Sequence, residues 1–124
     1  MGITVSVKTT HIGDVGPHVA RAMLQGGREA ILPRAVALAP REPDPKHGEH
    51  GADSGFVQVE PISGGYRLIV GFTAFWMRIQ AQHPEWNHPH GGVSDFLLRA
   101  ALEGEQELWS LVASATWESL AAAA

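Results

Sequence analysis

Alternating apolar and polar residues mark three short strands along the chain. Residues 3–8 alternate as Ile-Thr-Val-Ser-Val-Lys, and residues 56–60 and 66–72 alternate in the same way. A period of two with β-branched residues is typical of strands. Residues 61–65, Pro-Ile-Ser-Gly-Gly, supply turn residues, so we predict a β-hairpin there. Five apolar residues of this hairpin should pack against a helix: Val57, Val59, Leu68, Val70 and Phe72.

A helical period of apolar residues follows the first strand. Asp14, Gly16 and Pro17 form a helix start signal, with a capping residue and a proline in the first turn. Gly26-Gly27 and Pro33 then interrupt the pattern. Inside a helix, each glycine costs about 1 kcal/mol and a proline about 3 kcal/mol relative to alanine. The segment is therefore either two helices or one kinked helix.

A long helix is predicted at the C-terminal end. Ser94 caps it and Asp95 lies in its first turn. Trp109 and Trp117 lie partly off the apolar core stripe of this helix. Residues 73–82, which precede it, suit either a strand or a helical turn, and their pattern does not decide between the two. The stripe extends over about six turns: Phe96, Leu97, Ala100, Ala101, Gly104, Leu108, Leu111, Val112 and Ala115.

Two segments lack any apolar period. Residues 40–55 hold three prolines and three glycines, which predicts a long exposed loop, and residues 83–92 predict a second loop. Long loops inside a small domain are commonly binding loops. Tryptophan is also enriched among residues that anchor interfaces. We therefore expect partner contacts from Pro43, Asp44, Lys46, His47, His50, Trp86, His88 and His90.

Composition excludes several classes of protein. The chain of 124 residues has no cysteine, so disulfides, thiolate metal sites and cysteine nucleophiles are impossible. Thirteen acidic against nine basic side chains argue against a general nucleic-acid binder. No apolar run approaches the roughly 20 residues of a membrane span, and no leader pattern is present. We expect a soluble single domain over residues 1–124, without a membrane partner.

The charge is divided between the two ends of the chain. Residues 1–41 carry five basic and two acidic side chains, whereas residues 93–124 carry one basic and five acidic side chains. Two interpretations stay open. The ends pack on each other inside one monomer, or the basic end of one subunit meets the acidic end of its neighbour.

Candidate chemistry is sparse. His83, His88 and His90 have a spacing that can hold Zn²⁺, which makes a small metalloenzyme one alternative. Hydrogen-bonding loop histidines are the commoner interpretation. No serine elbow or phosphate-binding loop occurs, and Glu103, Glu105 and Glu107 fit a solvated helix face. We expect no enzyme, cofactor or metal. A further alternative is a monomeric binding module that uses the 40–55 loop.

Several segments in this order resemble a known family. They are Ala-Leu-Ala-Pro at 37–40, Asp-Ser-Gly-Phe-Val at 53–57, Leu-Ile-Val-Gly-Phe at 68–72, and Ala-Phe-Trp at 74–76. The loop Asn-His-Pro-His-Gly-Gly at 87–92 follows, and Asp-Phe-Leu at 95–97 opens the last helix. Their order and spacing over about residues 30–112 are similar to the tail-completion and minor capsid proteins of tailed bacteriophages, the HK97-type neck proteins. The chain departs from the pattern in its long 40–55 loop, in Phe75-Trp76, and in its long first helix, which glycines and a proline interrupt.

The resemblance implies an α+β fold, in which a small sheet packs with helices. Together with the pattern of the residues, we expect a small antiparallel sheet packed against a kinked N-terminal helix and a long C-terminal helix. The resemblance further implies a structural virion protein, assembled in the host cytoplasm as a homo-oligomeric, often hexameric, ring. The ring would join the head connector or stopper to the tail terminator or tail tube, and no catalytic residue carries over. Genomic DNA would cross the lumen without specific binding, with Glu103, Glu105 and Glu107 as candidate acidic lining or interface residues.

Overall fold

A computed structural model describes residues 2–10, 16–40, 51–83 and 92–123. The described residues form a three-stranded antiparallel sheet and helices, so the predicted α+β fold is confirmed. The sheet contains β1 (Ile3–Thr10), β2 (Gly55–Ile62) and β3 (Gly65–Phe72), in the order β1-β3-β2. Both the first strand and the hairpin therefore form as their alternation predicts.

The hairpin turn is tighter than the sequence predicts. The strands pair as far as Ile62 with Gly65, so only Ser63 and Gly64 lie between them. Gly64 has a φ of 75°. Two-residue hairpin turns require this left-handed region, which a glycine adopts without a steric penalty.

The apolar face of the hairpin packs as expected. Leu68, Val70 and Phe72 are fully buried, and Val57 and Val59 pack against the same core. Their inward positions follow from the register, in which Val57 lies opposite Val70 and Val59 opposite Leu68. The faces of the strands thus follow directly from their period of two.

The N-terminal helical segment is continuous but irregular. It contains α1 (Gly16–Gly26), a π-helical turn (Gly27–Ile31) and α2 (Leu32–Leu38). In the π turn, the Leu32 N–H donates to the Gly27 carbonyl, five residues earlier. Pro33 has no N–H to donate, so the α-helical ladder is already broken at this point. This arrangement corresponds to the kinked-helix alternative. Asp14, the predicted capping residue, lies outside the described residues.

The segment left open becomes a helix, and the last helix starts slightly later than predicted. Helix α3 is Phe75–Gln82 and helix α4 is Phe96–Ala123. The Asp95 carbonyl accepts the Arg99 N–H at 2.9 Å, which places Asp95 rather than Ser94 at the N-cap position. The Ser94 hydroxyl instead donates to the His83 carbonyl at 3.1 Å. Tertiary contact thus shifts the predicted cap by one residue.

Helix α4 packs antiparallel to the α1–α2 segment through glycines. A side chain at Gly26 would lie 2.6 Å from Leu108 Cδ1, and one at Gly104 would lie 2.8 Å from the Ala30 carbonyl oxygen. Such close approach leaves no room for a Cβ atom. Every residue of the predicted core stripe of α4 is buried or half-buried, so that prediction is confirmed.

The prediction of an exposed loop up to residue 55 is wrong at its end. Gly51–Ser54 form a 3₁₀ turn, and Gly55 already begins β2. Ser54 is buried. Its Oγ accepts the Ala74 N–H at 3.1 Å, and its carbonyl accepts the Thr73 N–H at 3.2 Å. These bonds fasten the loop end to the chain after β3. Residues 41–50 and 84–91 of the two predicted loops lie outside the described residues.

Candidate functional site

The predicted interface residues divide into two groups. Glu103, Glu105 and Glu107 are described, and all three are exposed on α4. The others lie outside the described residues, and their contacts stay predictions: Pro43, Asp44, Lys46, His47, His50, Trp86, His88 and His90. Helix α4 is consequently where a candidate site can be built from geometry.

The three glutamates do not form one cluster. Residues two apart on a helix point about 200° apart, so Glu105 faces away from Glu103 and Glu107. Glu107 forms an ion pair with Arg34 of α2. Glu103 and Glu105 have no ion-pair partner among the described residues.

A second apolar stripe extends along α4, and we call it the outer stripe. Leu98 is 58% exposed, Leu102 is 65% exposed and Trp117 is 73% exposed. Trp109 is half-buried and Ala113 is exposed. At 100° per residue these five positions fall on one side of the helix, roughly opposite the core stripe, and Trp109 also packs partly against the core. Helix α4 thus has two apolar sides, of which the core covers one.

A shallow groove of about 560 Å³ lies on the outer stripe. Three apolar and three polar side chains line it, and Glu105 is the charged one among them. The lining residues are Leu102, Glu105, Gln106, Trp109, Ser110 and Ala113. A carboxylate beside an indole ring suits recognition of a cationic side chain, because both groups attract positive charge.

Helix α1 and the π turn that follows it carry a polar counterpart, which we call the basic stripe. It contains Pro17, Arg21, Leu24 and Arg28, at the spacing of one helix side. Pro17 and both arginines are exposed, and Leu24 is half-buried. Neither arginine has an ion-pair partner among the residues that the structure describes.

The basic stripe and the outer stripe face opposite directions. Gly26 contacts α4, and Arg28, two residues later, lies about 200° around the helix from it. Gly104 contacts the Ala30 region, and Leu102, two residues earlier, is displaced by the same angle. Each stripe therefore points away from the α1–α4 contact, on opposite sides of the helix pair.

Part of the charge division is resolved inside the chain. Arg34 from the basic N-terminal region pairs with Glu107 from the acidic C-terminal helix. Arg67 pairs with Glu60 at 2.9 Å and Arg99 with Asp95 at 3.3 Å, each between near neighbours. The intrachain interpretation therefore applies to Arg34 and Glu107. It leaves the arginines of the basic stripe unaccounted for.

The histidine alternative has little described geometry. His83 is half-buried, whereas His88 and His90 lie outside the described residues. Among the described residues, no group of three histidine, aspartate or glutamate side chains is placed to hold a metal ion.

None of the helices in the described part of the chain is long and apolar enough to cross a membrane.

Sequence reasoning missed the apolar part of the outer stripe. The core stripe of α4 predicts no role for Leu98 and Leu102, although Trp109 and Trp117 lie partly off that stripe. The available signal was the spacing of Leu98, Leu102, Trp109, Ala113 and Trp117 on one helix side.

Comparison of the chain with protein-family models, with curated proteins and with solved structures gave no match.

Proposed function

We propose that this protein is a structural, non-enzymatic subunit that assembles with copies of itself into a ring in the neck of a tailed bacteriophage. The observation that carries the proposal is the uncovered outer stripe of α4, on which Leu98, Leu102 and Trp117 are each more than half exposed. Exposed apolar patches of this kind on a small protein mark interaction surfaces. Tryptophan and leucine side chains lose water there only when a partner binds.

The placement of the two stripes supports closed assembly. Surfaces on opposite sides of a subunit join copies head to tail, and such contacts close into a ring when the rotation between copies permits. A dimer with two-fold symmetry would instead use one surface twice. The expectation of six subunits comes from the family resemblance, because the two stripes do not determine how many subunits close the ring.

The family resemblance supplies the position of the ring. We propose on this basis that the ring lies between the head connector or stopper and the tail terminator or tail tube, with genomic DNA crossing the lumen. Glu103 is an exposed carboxylate that would repel phosphates if it faced the lumen. An acidic lumen would let DNA pass without binding it.

A gene disruption tests this function directly. In the phage or prophage that encodes the chain, a stop codon early in this gene should give DNA-filled heads and separate tails in electron micrographs. Expression of the intact chain from a plasmid should restore joined particles. Normal infectious virions from the disrupted phage would contradict the proposal, and a gene position away from the head-connector and tail-tube genes would count against it.

A further inference from the structure

We infer that the groove on the outer stripe is a seat for an arginine from the basic stripe of a second copy of this chain. This inference rests on the proposed function, because it names the partner of the same assembly surface. It joins the outer stripe to the basic stripe, with Arg28 as the side chain that enters the groove. Arg21 lies two turns earlier on the same stripe and extends the contact.

The chemistry of the groove favours arginine over other side chains. Glu105 and Trp109 are one helical turn apart, so that the carboxylate and the indole ring flank the same space. A guanidinium group donates two parallel hydrogen bonds to a carboxylate and also stacks on an aromatic face. A lysine provides the charge but neither the fork nor the flat surface. Leu102 and Ala113 extend the apolar floor, on which the arginine methylenes can lie.

The basic stripe has the complementary composition. Leu24 lies between Arg21 and Arg28 on the same helix side, so the stripe presents an apolar residue flanked by two cations. The described part of the chain gives neither arginine a carboxylate partner. The outer stripe offers the converse, an apolar surface with the Glu105 carboxylate inside it. Each surface thus supplies what the other lacks.

The geometry requires the contact to be intermolecular. The two stripes point away from each other across the antiparallel α1–α4 pair, so Arg28 cannot reach the groove of its own chain. A second copy placed head to tail brings one stripe onto the other and leaves a free stripe at each end of the pair. Repetition of this contact generates the ring of the proposed function.

Charge disfavours the other self-association, in which two α4 helices pair through their outer stripes. Helix α4 carries one arginine against four glutamates. An antiparallel α4 pair would bring Glu105 near Glu105 of the partner subunit in a partly dehydrated interface, and like charges there are unfavourable. When the basic stripe of a second copy is the partner, the Glu105 carboxylate instead faces an arginine and attracts it.

Two assembly-blocked variants of the full chain test the contact. The first carries Arg21→Glu and Arg28→Glu and keeps the outer stripe intact. The second carries Leu102→Ser and Glu105→Gln and keeps the basic stripe intact. All four positions are exposed, so the folds should persist, and unchanged thermal melting checks this. Arg78→Glu and Glu118→Arg, exposed positions outside both stripes, serve as matched controls.

Native mass spectrometry and sedimentation velocity give the outcomes. Wild type and both controls should assemble, each blocked variant should be monomeric alone, and their equimolar mixture should give a one-to-one dimer. Dimers of the first variant alone would overturn the inference, because they would show α4–α4 pairing. A monomeric mixture beside an assembling wild type would overturn the inference and leave the proposed function standing. A wild type that stays monomeric would overturn both.

A neutralising substitution gives a second, independent readout. The Glu105→Gln protein should associate with itself roughly 30-fold or more weakly than the wild type, because the arginine of the next copy would be buried without its carboxylate. Pairing between two α4 helices predicts the opposite sign, since it would lose a repulsion. Unchanged or tighter association of the Glu105→Gln protein would therefore contradict the arginine seat.

Discussion

Arg34 of α2 and Glu107 of α4 form an ion pair that fastens the kinked N-terminal helical segment to the C-terminal helix within one chain. The same Arg34 Nη1 donates to the Ala30 carbonyl at 2.7 Å, one turn earlier in its own segment. The arginine thus bridges the π turn and α4 at one point. This pairing separates Arg34 from the arginines of the basic stripe, which have no ion-pair partner among the described residues.

Replacement of Glu107 by glutamine should lower the free energy of unfolding by about 0.5–1 kcal/mol. The pair is partly exposed, which keeps its contribution small, and about 1 M salt should remove most of the difference. Chemical denaturation at low and high salt measures this. Glu103→Gln is the matched control, since Glu103 lies one turn away without an ion-pair partner among the described residues. Equal effects of the two variants would contradict a specific Arg34 contact.

Replacement of Gly104 by alanine should destabilise the protein by about 1–3 kcal/mol. The new Cβ would lie 2.8 Å from the Ala30 carbonyl oxygen, so the two helical segments must separate. This cost exceeds the gain of about 1 kcal/mol from the better helix propensity of alanine. Ser114→Ala at an exposed position of α4 should instead leave the melting temperature unchanged or slightly raised. A higher melting temperature for the Gly104 variant would contradict the close packing.

Replacement of Ser54 by alanine should cost about 1–3 kcal/mol, because the buried Ala74 N–H loses its acceptor. Ser63→Ala, in the exposed hairpin turn, should change stability by less than about 0.5 kcal/mol. Thermal melting of the two variants measures the difference. A Ser54 variant as stable as the Ser63 variant would show that the bond to Ala74 does not hold the start of β2 in place.

Periodicity was sufficient to predict most of the fold, and it failed where tertiary contacts decide. The strands and the core stripe of α4 follow from spacing alone. Residues 75–82 fitted both periods, so only their packing could select the helix. The Gly26-Gly27 pair suggested a break, but its position against Leu108 and the sheet shows that the glycines provide close approach. The burial of Ser54 depends on a partner twenty residues away, which no local pattern reveals.

The candidate site was only partly visible in the sequence. Charge counting indicated that basic and acidic surfaces meet, but it could not separate Arg34, which pairs inside the chain, from Arg28. The core stripe of α4 was recognised because it is long and strongly apolar. Leu98 and Leu102 were overlooked because a helix with apolar residues on two sides has no clear period, and only the fold shows which side is covered. The loop residues proposed as contacts are not tested by the described geometry.

The central claim is that copies of the chain assemble through the outer stripe of α4, and sedimentation velocity of one variant tests it most directly. Leu98→Ser, Leu102→Ser and Trp117→Ser, combined, remove the exposed apolar side chains of the stripe. Gln58→Ser with Gln82→Ser, both exposed elsewhere, is the control. We expect wild type and control to sediment as one closed oligomer and the triple variant to sediment as a folded monomer with an unchanged melting temperature. A triple variant that sediments like the wild-type oligomer would contradict the claim.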